Sequence, residues 1–453
     1  MKSILLTHVP LQVITSLRYH EEAPKHFVGS GEKRGNIMKT RALILTLFLI
    51  FIAAMLVTGC QGTDNQTVPG LLPDADAAEF EGFPDDPILD ANHWQEEFPD
   101  QVRTFIANEE REQKRSYLKE YPWLATVYEG SGFAKQYDSA RTHPFALIDI
   151  SETSRTKDAG LSTCWACKTA QYPLMEAEGA SKLYDTPFDD LREAMTETIT
   201  CFDCHKNAPG LGRKGGTLAY SGGFLGSIRW HFNSAFPEAR TGDATCGQCH
   251  VEYHFTPQHA VKLPPELTDP TAIYEYYQSI EYVDYTNPRT GTKQLKVQHP
   301  EYQTCFGTLH DKKDLTCVSC HMERATNNIG QYSNHTITSP SKSEVIRSSQ
   351  CIWCHPQDRG VNLIKETRNR IWPQVVAVGE RLAAFCDAFA TALDAGEVND
   401  ADTSKLRALH REAQWYWDWV FAENSQGVHN PAQAQACIDK ANELLDQAET
   451  LLD

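Results

Sequence analysis

The sequence predicts a mainly α-helical protein with little β structure and long helices at its C-terminal end. Over 361–452, apolar residues recur at intervals of three and four, as they do along one face of an amphipathic helix. Between 101 and 360, short helical stretches are separated by Gly and Pro, and no alternation of apolar and polar residues is long enough for a large sheet. The 453 residues suffice for two or three ordinary domains, or for one large core filled by something other than side chains.

The N-terminal segment predicts export. Residues 1–37 have no periodic pattern and precede a better start at Met38, so we interpret them as a misplaced translation start. Over 38–59, two basic residues, an apolar run and the residues VTG lead to Cys60, a pattern that resembles a bacterial lipoprotein signal. Cys60 would then carry the lipid that tethers the mature chain on the periplasmic or outer cell-surface side of the membrane. The alternative is an uncleaved membrane anchor, although the apolar run is slightly short for a span.

The composition excludes several classes of protein. Hydrophobic residues make up 41% and charged residues 23% of the chain, and the mean hydropathy is −0.46. These values exclude a polytopic membrane protein and a wholly disordered chain. The 60 acidic and 42 basic residues give a net charge of −18, which disfavours binding to the phosphates of nucleic acid. Residues 60–100 are rich in Asp, Glu, Pro and Gly, as in an acidic linker.

Five CxxC pairs form the most informative pattern in the chain. Four of them, CFDCH, CGQCH, CVSCH and CIWCH, carry the attachment signature of c-type haem. The two thiols bind one haem through thioethers, and the adjacent imidazole lies beneath the iron. The alternatives are zinc sites and redox disulfides, neither of which requires a His directly after each pair. The pairs are Cys164 and Cys167, Cys201 and Cys204, Cys246 and Cys249, Cys317 and Cys320, and Cys351 and Cys354.

The first pair differs from the other four, because it is followed by Lys168 in place of His. An amine binds iron only when it is neutral, so a ligating Lys168 has to be buried beside the metal. Iron that the protein binds on both faces passes electrons, whereas iron bound on one face can also bind a substrate. The sequence therefore predicts one catalytic haem among four that only transfer electrons.

The supply of histidines is sufficient for this arrangement. The motifs provide the proximal ligands His205, His250, His321 and His355. Four haems with two imidazoles each need four further histidines, and spacing alone does not select them. Outside the leader, ten remain: His93, His143, His231, His254, His259, His299, His310, His335, His410 and His429.

The motif order resembles that of a known enzyme family. One CxxCK motif, four CxxCH motifs, EY at 252–253 and KVQHPEY at 296–302 are closely similar to the ammonia-forming pentahaem cytochrome c nitrite reductases. The resemblance covers most of the chain. It implies five covalent haems c in a catalytic domain over 101–360, and a C-terminal helical region over 361–453 that joins two subunits in a homodimer. It also implies nitrite as substrate and a quinol-linked cytochrome as electron donor.

The same resemblance implies the distal ligands of four haems. His335 would complete the second haem, His143 the third, His429 the fourth and His310 the fifth. Each could instead be a solvated histidine or a histidine of the protein core.

The resemblance also places a substrate pocket over the haem of Lys168. The catalytic residues map onto Arg155, Tyr253 and His299, with Arg141 as the nearest competitor of Arg155. Arg155 and His299 would bind the nitrite oxygens, and His299 and Tyr253 would deliver protons.

A calcium ion beside that pocket is a further implication of the resemblance. Its ligands would be the carboxylate of Glu252, the amide of Gln298, and the backbone carbonyls of Tyr253 and Lys296. Oxygen ligands of this type suit calcium, which would orient Tyr253 and His299. The alternative for Glu252 is an ordinary surface carboxylate.

Two further groups of residues predict packing alone. Trp415, Tyr416, Trp417 and Trp419 would fill the contacts of a long helix. Cys305, Cys386 and Cys437 lie outside the haem motifs and would be buried thiols or include one disulfide.

Two rival functions remain open from the sequence. A multihaem electron conduit would need two protein ligands at every haem, and Lys168 argues against it. Hydroxylamine, nitric oxide or sulfite could also react at the same iron, and the sequence does not rank these substrates.

Overall fold

The computed structural model describes residues 88–111, 113–156, 160–177, 183–205, 236, 239–264, 267–342, 351–356 and 358–452, all within the unit Pro69–Asp453. The expectations for the misplaced start, the signal and the lipid-bearing Cys60 lie outside these residues. None of the helices in the described ranges combines the length and the apolar character needed to cross a membrane.

The described part of the chain is mainly helical, as the sequence predicts. The α-helices before the C-terminal region are short: α1 Pro99–Ile106, α2 Tyr117–Glu120, α3 Leu124–Val127, α4 Ala146–Glu152, α5 Gln171–Ala177, α6 Cys201–Cys204, α7 Thr241–Gly247, α8 Pro270–Ser279, α9 Glu301–Cys305 and α10 Cys317–His321. Between them lie 3-10 helices at Ala91–Trp94, Ala107–Glu110, Gly132–Ala134, His143–Phe145, Ser154–Thr156, Ser162–Trp165, Leu183–Asp185, Phe188–Ala194, Asp311–Lys313 and Cys351–Trp353.

The β structure in the described residues consists of short antiparallel pairs. β1 pairs with β2, β3 with β4 and β5 with β6. Each strand has two or three residues, so no large sheet forms there. The strands are β1 His254–Phe255, β2 Val261–Lys262, β3 Tyr285–Thr286, β4 Lys293–Gln294, β5 Arg324–Thr326 and β6 Gln331–Ser333.

Three long helices end the chain: α11 Arg359–Ala395, α12 Asp400–Ala422 and α13 Pro431–Leu452. α12 begins after Asn399, whose side chain accepts a hydrogen bond from the backbone of Asp402. α11 ends at Gly396, which adopts a left-handed φ of 68° and so closes the helix at no steric cost. The mainly α fold with long C-terminal helices is confirmed.

The middle helix of the three is buried along much of its length. Trp415, Trp417 and Trp419 are at most 1% exposed and belong to the largest hydrophobic cluster. The indole N–H of Trp415 donates to the carbonyl of Pro270 at 2.9 Å, and that of Trp417 donates to Val375 at 2.9 Å. These aromatic residues therefore pack α12 between α8 and α11.

A separate hydrophobic cluster surrounds the first CxxC motif. The indole of Trp165, between the two cysteines, stacks on the ring of Phe188 with centroids 3.9 Å apart. Its N–H donates to the carbonyl of Phe188 at 3.1 Å. The motif is thus held by one of the two residues that separate its thiols.

Residues 88–100, at the end of the predicted linker, pack against the folded body. Trp94 and Phe98 form a buried cluster with Val102, and Cys201 of the second motif contacts it. The packed part of the chain therefore begins before residue 100.

Candidate haem sites and active site

Local hydrogen bonds give the motifs the conformation of a helical turn. The backbone N–H of His205, His250 and His355 each donates to the carbonyl of the first Cys of its own motif, at 2.8–2.9 Å. The two thiols of a pair therefore lie on the same side of the turn, next to the His that follows them. Lys168 donates in the same way to Trp165 at 2.9 Å, which gives the first motif a tighter turn.

Capping residues fix where two of these turns begin. Thr200 accepts a hydrogen bond from Phe202, while Asp203 accepts one from the Thr200 backbone at 2.8 Å. In the fourth motif, the backbone N–H of Cys317 donates to the carboxylate of Asp243 at 2.8 Å. These contacts preset the positions of the thiols.

The cysteines of the described residues, including all five CxxC pairs, are free thiols. Cys386 and Cys437 are buried thiols, and Cys305 is a half-buried thiol. The Cys386 sulfur lies 3.1 Å from Nε2 of His410 in the core.

The structure brings together all four pairs of imidazoles that the resemblance implied. The ring centroids are 6.1 Å apart for His205 and His335, and 6.4 Å apart for His250 and His143. Two imidazoles on opposite faces of one metal, each bound at about 2 Å, have ring centres roughly 6 Å apart.

The other two pairs have the same spacing. The centroids are 6.0 Å apart for His321 and His429, and 6.3 Å apart for His355 and His310. Each pair joins a motif His to a His distant from that motif in sequence. The ring spacings therefore fit four haems with two imidazole ligands each.

Several of these imidazoles are oriented through their outer nitrogen. Nδ1 of His335 lies 2.9 Å from the carbonyl of Ser333, and Nδ1 of His321 lies 3.0 Å from the carbonyl of Thr338. A donor role for Nδ1 leaves Nε2 free to bind a metal. Nδ1 of His429 lies 2.6 Å from Oε1 of Glu423, which orients this imidazole in the same way.

A different set of side chains surrounds the Lys168 motif. Burial lowers the pKa of His299 below its ordinary value, although Glu301 opposes this effect. Burial also raises the pKa of Tyr253 well above its ordinary value, and the nearby Cys167 and Cys164 act in the same direction. Tyr253 thus retains its proton at neutral pH.

Arg155 is the cation of this set. Burial lowers its pKa, while Tyr137, Cys164 and Tyr253 raise it. Its guanidinium lies 4.4 Å from the centroid of the Phe133 ring, and no carboxylate among the described residues lies within ion-pairing distance. The positive charge therefore remains available to an anion.

Arg141, the alternative to Arg155 as the anion-binding residue, already has a carboxylate partner. Its guanidinium forms an ion pair with Asp149 at 2.5 Å and lies over the ring of Phe145 at 4.0 Å. This pairing favours Arg155 as the anion-binding residue.

The predicted calcium ligands also form one cluster. Glu252 is fully buried, and its carboxylate accepts the backbone N–H of Gln298 at 2.6 Å and the hydroxyl of Tyr277 at 3.1 Å. The Gln298 side-chain amide lies 3.0 Å from the carbonyl of Lys296. Rotating the Gln298 amide exchanges its nitrogen and its oxygen. The contact is therefore also compatible with the amide oxygen of Gln298 and the carbonyl oxygen of Lys296 both facing one cation. Tyr253 follows Glu252 directly in the chain.

Sequence reasoning missed a second carboxylate in this cluster. Asp284 accepts the backbone N–H of Lys296 at 2.8 Å and the hydroxyl of Tyr282 at 2.7 Å. Burial raises its pKa to about 6, and the negative charge of Asp284 contributes to the raised pKa of Glu252, whose first cause is burial. Nothing in the sequence around Asp284 indicates this role.

Glu301 was also missed, although it belongs to the KVQHPEY segment. Its carboxylate lies 3.9 Å from Nδ1 of His250 and 3.9 Å from Nδ1 of His299. The three side chains are the one group of potential metal-binding residues that the described structure brings this close together. A buried carboxylate thus stands between a predicted haem ligand and a predicted catalytic residue.

The cytochrome c552 family model matches residues 90–453. Among solved structures, the catalytic subunit (NrfA) of the cytochrome c nitrite reductase of Desulfovibrio desulfuricans, described with two calcium sites, is similar with a TM-score of 0.70 and 24% identity. The match covers 81% of this chain and 86% of that subunit, and it supports the fold.

Two other cytochromes are only weakly similar. The outer cell wall cytochrome OcwA has a TM-score of 0.37 and 19% identity, over 67% of this chain and 48% of its own. The undecahaem cytochrome from the S-layer of Carboxydothermus ferrireducens has a TM-score of 0.36 and 16% identity, over 69% and 41%. Likenesses this weak carry no argument.

The family match spans nearly all of the described fold, and it confirms the resemblance drawn from the motifs. The chain belongs to the cytochrome c552 family, the family of the cytochrome c nitrite reductases, and is an oxidoreductase.

Proposed function

We propose that this protein reduces nitrite to ammonium with six electrons at the haem attached to Cys164 and Cys167. The main support is the convergence of Arg155, Tyr253 and His299 on the one motif that lacks a histidine. The other four motifs each have a second imidazole at the spacing of a haem ligand pair. This contrast favours one reactive centre supplied by four electron-transferring centres.

In this proposal, Cys164, Cys167 and Lys168 would hold a haem, which would supply the iron and the electrons for the reduction. The side chains around it have separate tasks. Arg155 attracts the anion and holds its oxygens, because its charge is not neutralised by a neighbouring carboxylate. Fixed donors of this kind stabilise negative charge without reorganisation. In a chain with a net charge of −18, such a local cation is needed to admit an anion.

His299 and Tyr253 serve as proton donors. The reduction takes nitrogen from oxidation state +3 to −3 and consumes several protons, so a positioned acid is needed repeatedly. The lowered pKa of His299 keeps it largely neutral at pH 7, where it can hydrogen-bond to nitrite and pass on protons. The raised pKa of Tyr253 keeps the phenol as a hydrogen-bond donor.

Calcium would hold this arrangement in place. The ligands we propose are the Glu252 carboxylate, the Gln298 amide, and the carbonyls of Tyr253 and Lys296. Two of these residues adjoin the catalytic set, since Tyr253 belongs to it and Gln298 precedes His299. A cation there would compensate the buried negative charge of Glu252 and Asp284.

The cellular setting completes the proposal. The protein would be exported, tethered through lipidated Cys60, supplied by a quinol-linked cytochrome and assembled as a homodimer through its C-terminal helices. These elements rest on the sequence pattern of 38–60 and on the family resemblance.

The experiment is turnover of the reduced holoprotein with nitrite, with ammonium measured as product. We predict that His299→Ala retains the haems but loses on the order of 10²-fold or more in ammonium formation, the range typical of a general acid. His259→Ala is the matched control, because His259 is exposed and lies outside the site. Unchanged turnover in His299→Ala would remove that residue from the mechanism.

The same assay separates the rival functions. A conduit would yield no ammonium, and its reduced form would take up no external ligand. Comparison of nitrite with hydroxylamine, nitric oxide and sulfite ranks the substrates that the sequence leaves open.

A further inference from the structure

Glu423 is a buried carboxylate at the end of α12, and it touches a proposed haem ligand. The residue is 2% exposed, and its Oε1 lies 2.6 Å from Nδ1 of His429. The hydroxyl of Ser425 donates to its Oε2 at 2.5 Å, and the Ser425 backbone donates to Oε1 at 3.1 Å. Ser425 also accepts the backbone N–H of His429 at 3.0 Å. The carboxylate is therefore held against the imidazole by the loop that carries both.

Three other proposed haem ligands have different partners. His321, which faces His429, contacts the neutral carbonyl of Thr338, and His335 contacts the neutral carbonyl of Ser333. His250 faces a carboxylate, that of Glu301, but at 3.9 Å. Glu423 thus lies closer to His429 than Glu301 does to His250.

We propose that Glu423 is a tuning residue that lowers the reduction potential of the haem attached to Cys317 and Cys320. An imidazole that donates its outer N–H to a carboxylate becomes more electron-rich, so it stabilises ferric more than ferrous iron. Burial strengthens the effect, because a charge acts further in a medium of low polarity. A haem tuned in this way would pass electrons on and would not retain them.

The inference depends on haem ligation by His321 and His429 and not on nitrite as substrate. It would hold equally in an electron conduit. Failure of the nitrite assay and failure of this inference are therefore separate results.

Glu423→Gln is the sharpest variant, because it keeps the size of the side chain and an oxygen acceptor while it removes the charge. The measurement is a spectroelectrochemical titration of the holoprotein, in which each haem iron gains one electron from the electrode through mediators. We expect the midpoint potential of one haem to rise and the midpoint potentials of the other haems to stay unchanged. Glu412→Gln is the matched control, since half-buried Glu412 lies on the same helix and faces Lys440 and Glu443. His429→Ala identifies the haem whose potential rises, because loss of an axial ligand changes the spectrum of that haem alone.

Unchanged midpoints in Glu423→Gln, or a downward shift, would overturn the inference. If that variant fails to incorporate its haems, Ser425→Ala replaces it. Without the Ser425 hydroxyl, the Glu423 carboxylate accepts one hydrogen bond fewer and interacts more strongly with His429. The reduction potential of the haem attached to Cys317 and Cys320 should therefore fall. No shift or a rise would count against the proposal.

Discussion

Asp418 shows how a single buried residue controls the segment that carries His299. Its carboxylate accepts the Lys296 ammonium at 2.9 and 3.0 Å, the backbone N–H of Val297 at 3.0 Å and the hydroxyl of Tyr128 at 2.5 Å. Lys296 and Asp418 are at most 4% exposed. The ion pair therefore anchors 296–299 to α12.

Aromatic rings enclose this ion pair. The Lys296 nitrogen lies 5.0–5.8 Å from the centroids of Tyr128, Phe133 and Tyr137. Phe133 also lies beneath the guanidinium of Arg155. The same ring thus packs against the anchored segment and against the proposed anion-binding residue.

We predict that Asp418→Asn lowers the free energy of unfolding by about 3–5 kcal/mol, because it leaves the Lys296 charge buried without its partner. Denaturant unfolding of the holoprotein measures the change. Asp387→Asn is the matched control: its partner is Arg289, both are exposed, and such pairs contribute about 0–1 kcal/mol. Equal effects of the two variants would contradict an anchoring role.

Residues could be predicted from the sequence where the chemistry is local. The CxxCH and CxxCK motifs are contiguous, so their thiols and proximal ligands are evident from spacing alone. The distal histidines needed the family resemblance, because nothing near His143 or His429 specifies a partner. Asp418 and Lys296 are 122 residues apart, and neither has a neighbouring signal that indicates the other.

At the scale of elements, the long C-terminal helices were predictable and the short ones were less so. A 3.6-residue repeat is visible over α11 and α13, because each buries one face. The short helices near the motifs have few turns, so periodicity has little length in which to appear. Their ends are set by single contacts such as the Thr200 cap and the Asp243 carboxylate.

The contact between α11 and α3 depends on a glycine. A Cβ atom at Gly379 would lie 2.1 Å from the Trp123 ring, which is too close for any carbon. Trp123 in turn packs against Trp417 of α12, with centroids 5.7 Å apart. Gly379 therefore allows an indole to lie against the helix backbone.

We predict that Gly379→Ala destabilises the protein by about 1–3 kcal/mol through overpacking. Ala has a better helix propensity than Gly, by about 1 kcal/mol. A stabilised variant would therefore show that the Trp123 side chain moves aside at little cost. The melting temperature of the holoprotein measures the balance. Gly330→Ala provides the control, because open space surrounds Gly330 and its melting temperature should change little.

At the scale of the whole molecule, the paired imidazoles explain why the body has so little regular structure. Short turns place ligands around cofactors, and the cofactors would supply the apolar volume that a sheet or bundle otherwise provides. The C-terminal helices instead form a conventional core of their own side chains. Sequence composition could not distinguish these two kinds of packing, whereas the Cys and His spacing could.

The most direct test of a reactive haem open on one face is electron paramagnetic resonance of the oxidised holoprotein, before and after nitrite is added. We expect one haem per chain, bound through Lys168, to differ from the low-spin haems with two imidazoles and to change its signal when nitrite binds. If every haem is low-spin with two protein ligands and nitrite leaves the spectrum unchanged, Lys168 does not mark a substrate site and the proposed reduction is wrong.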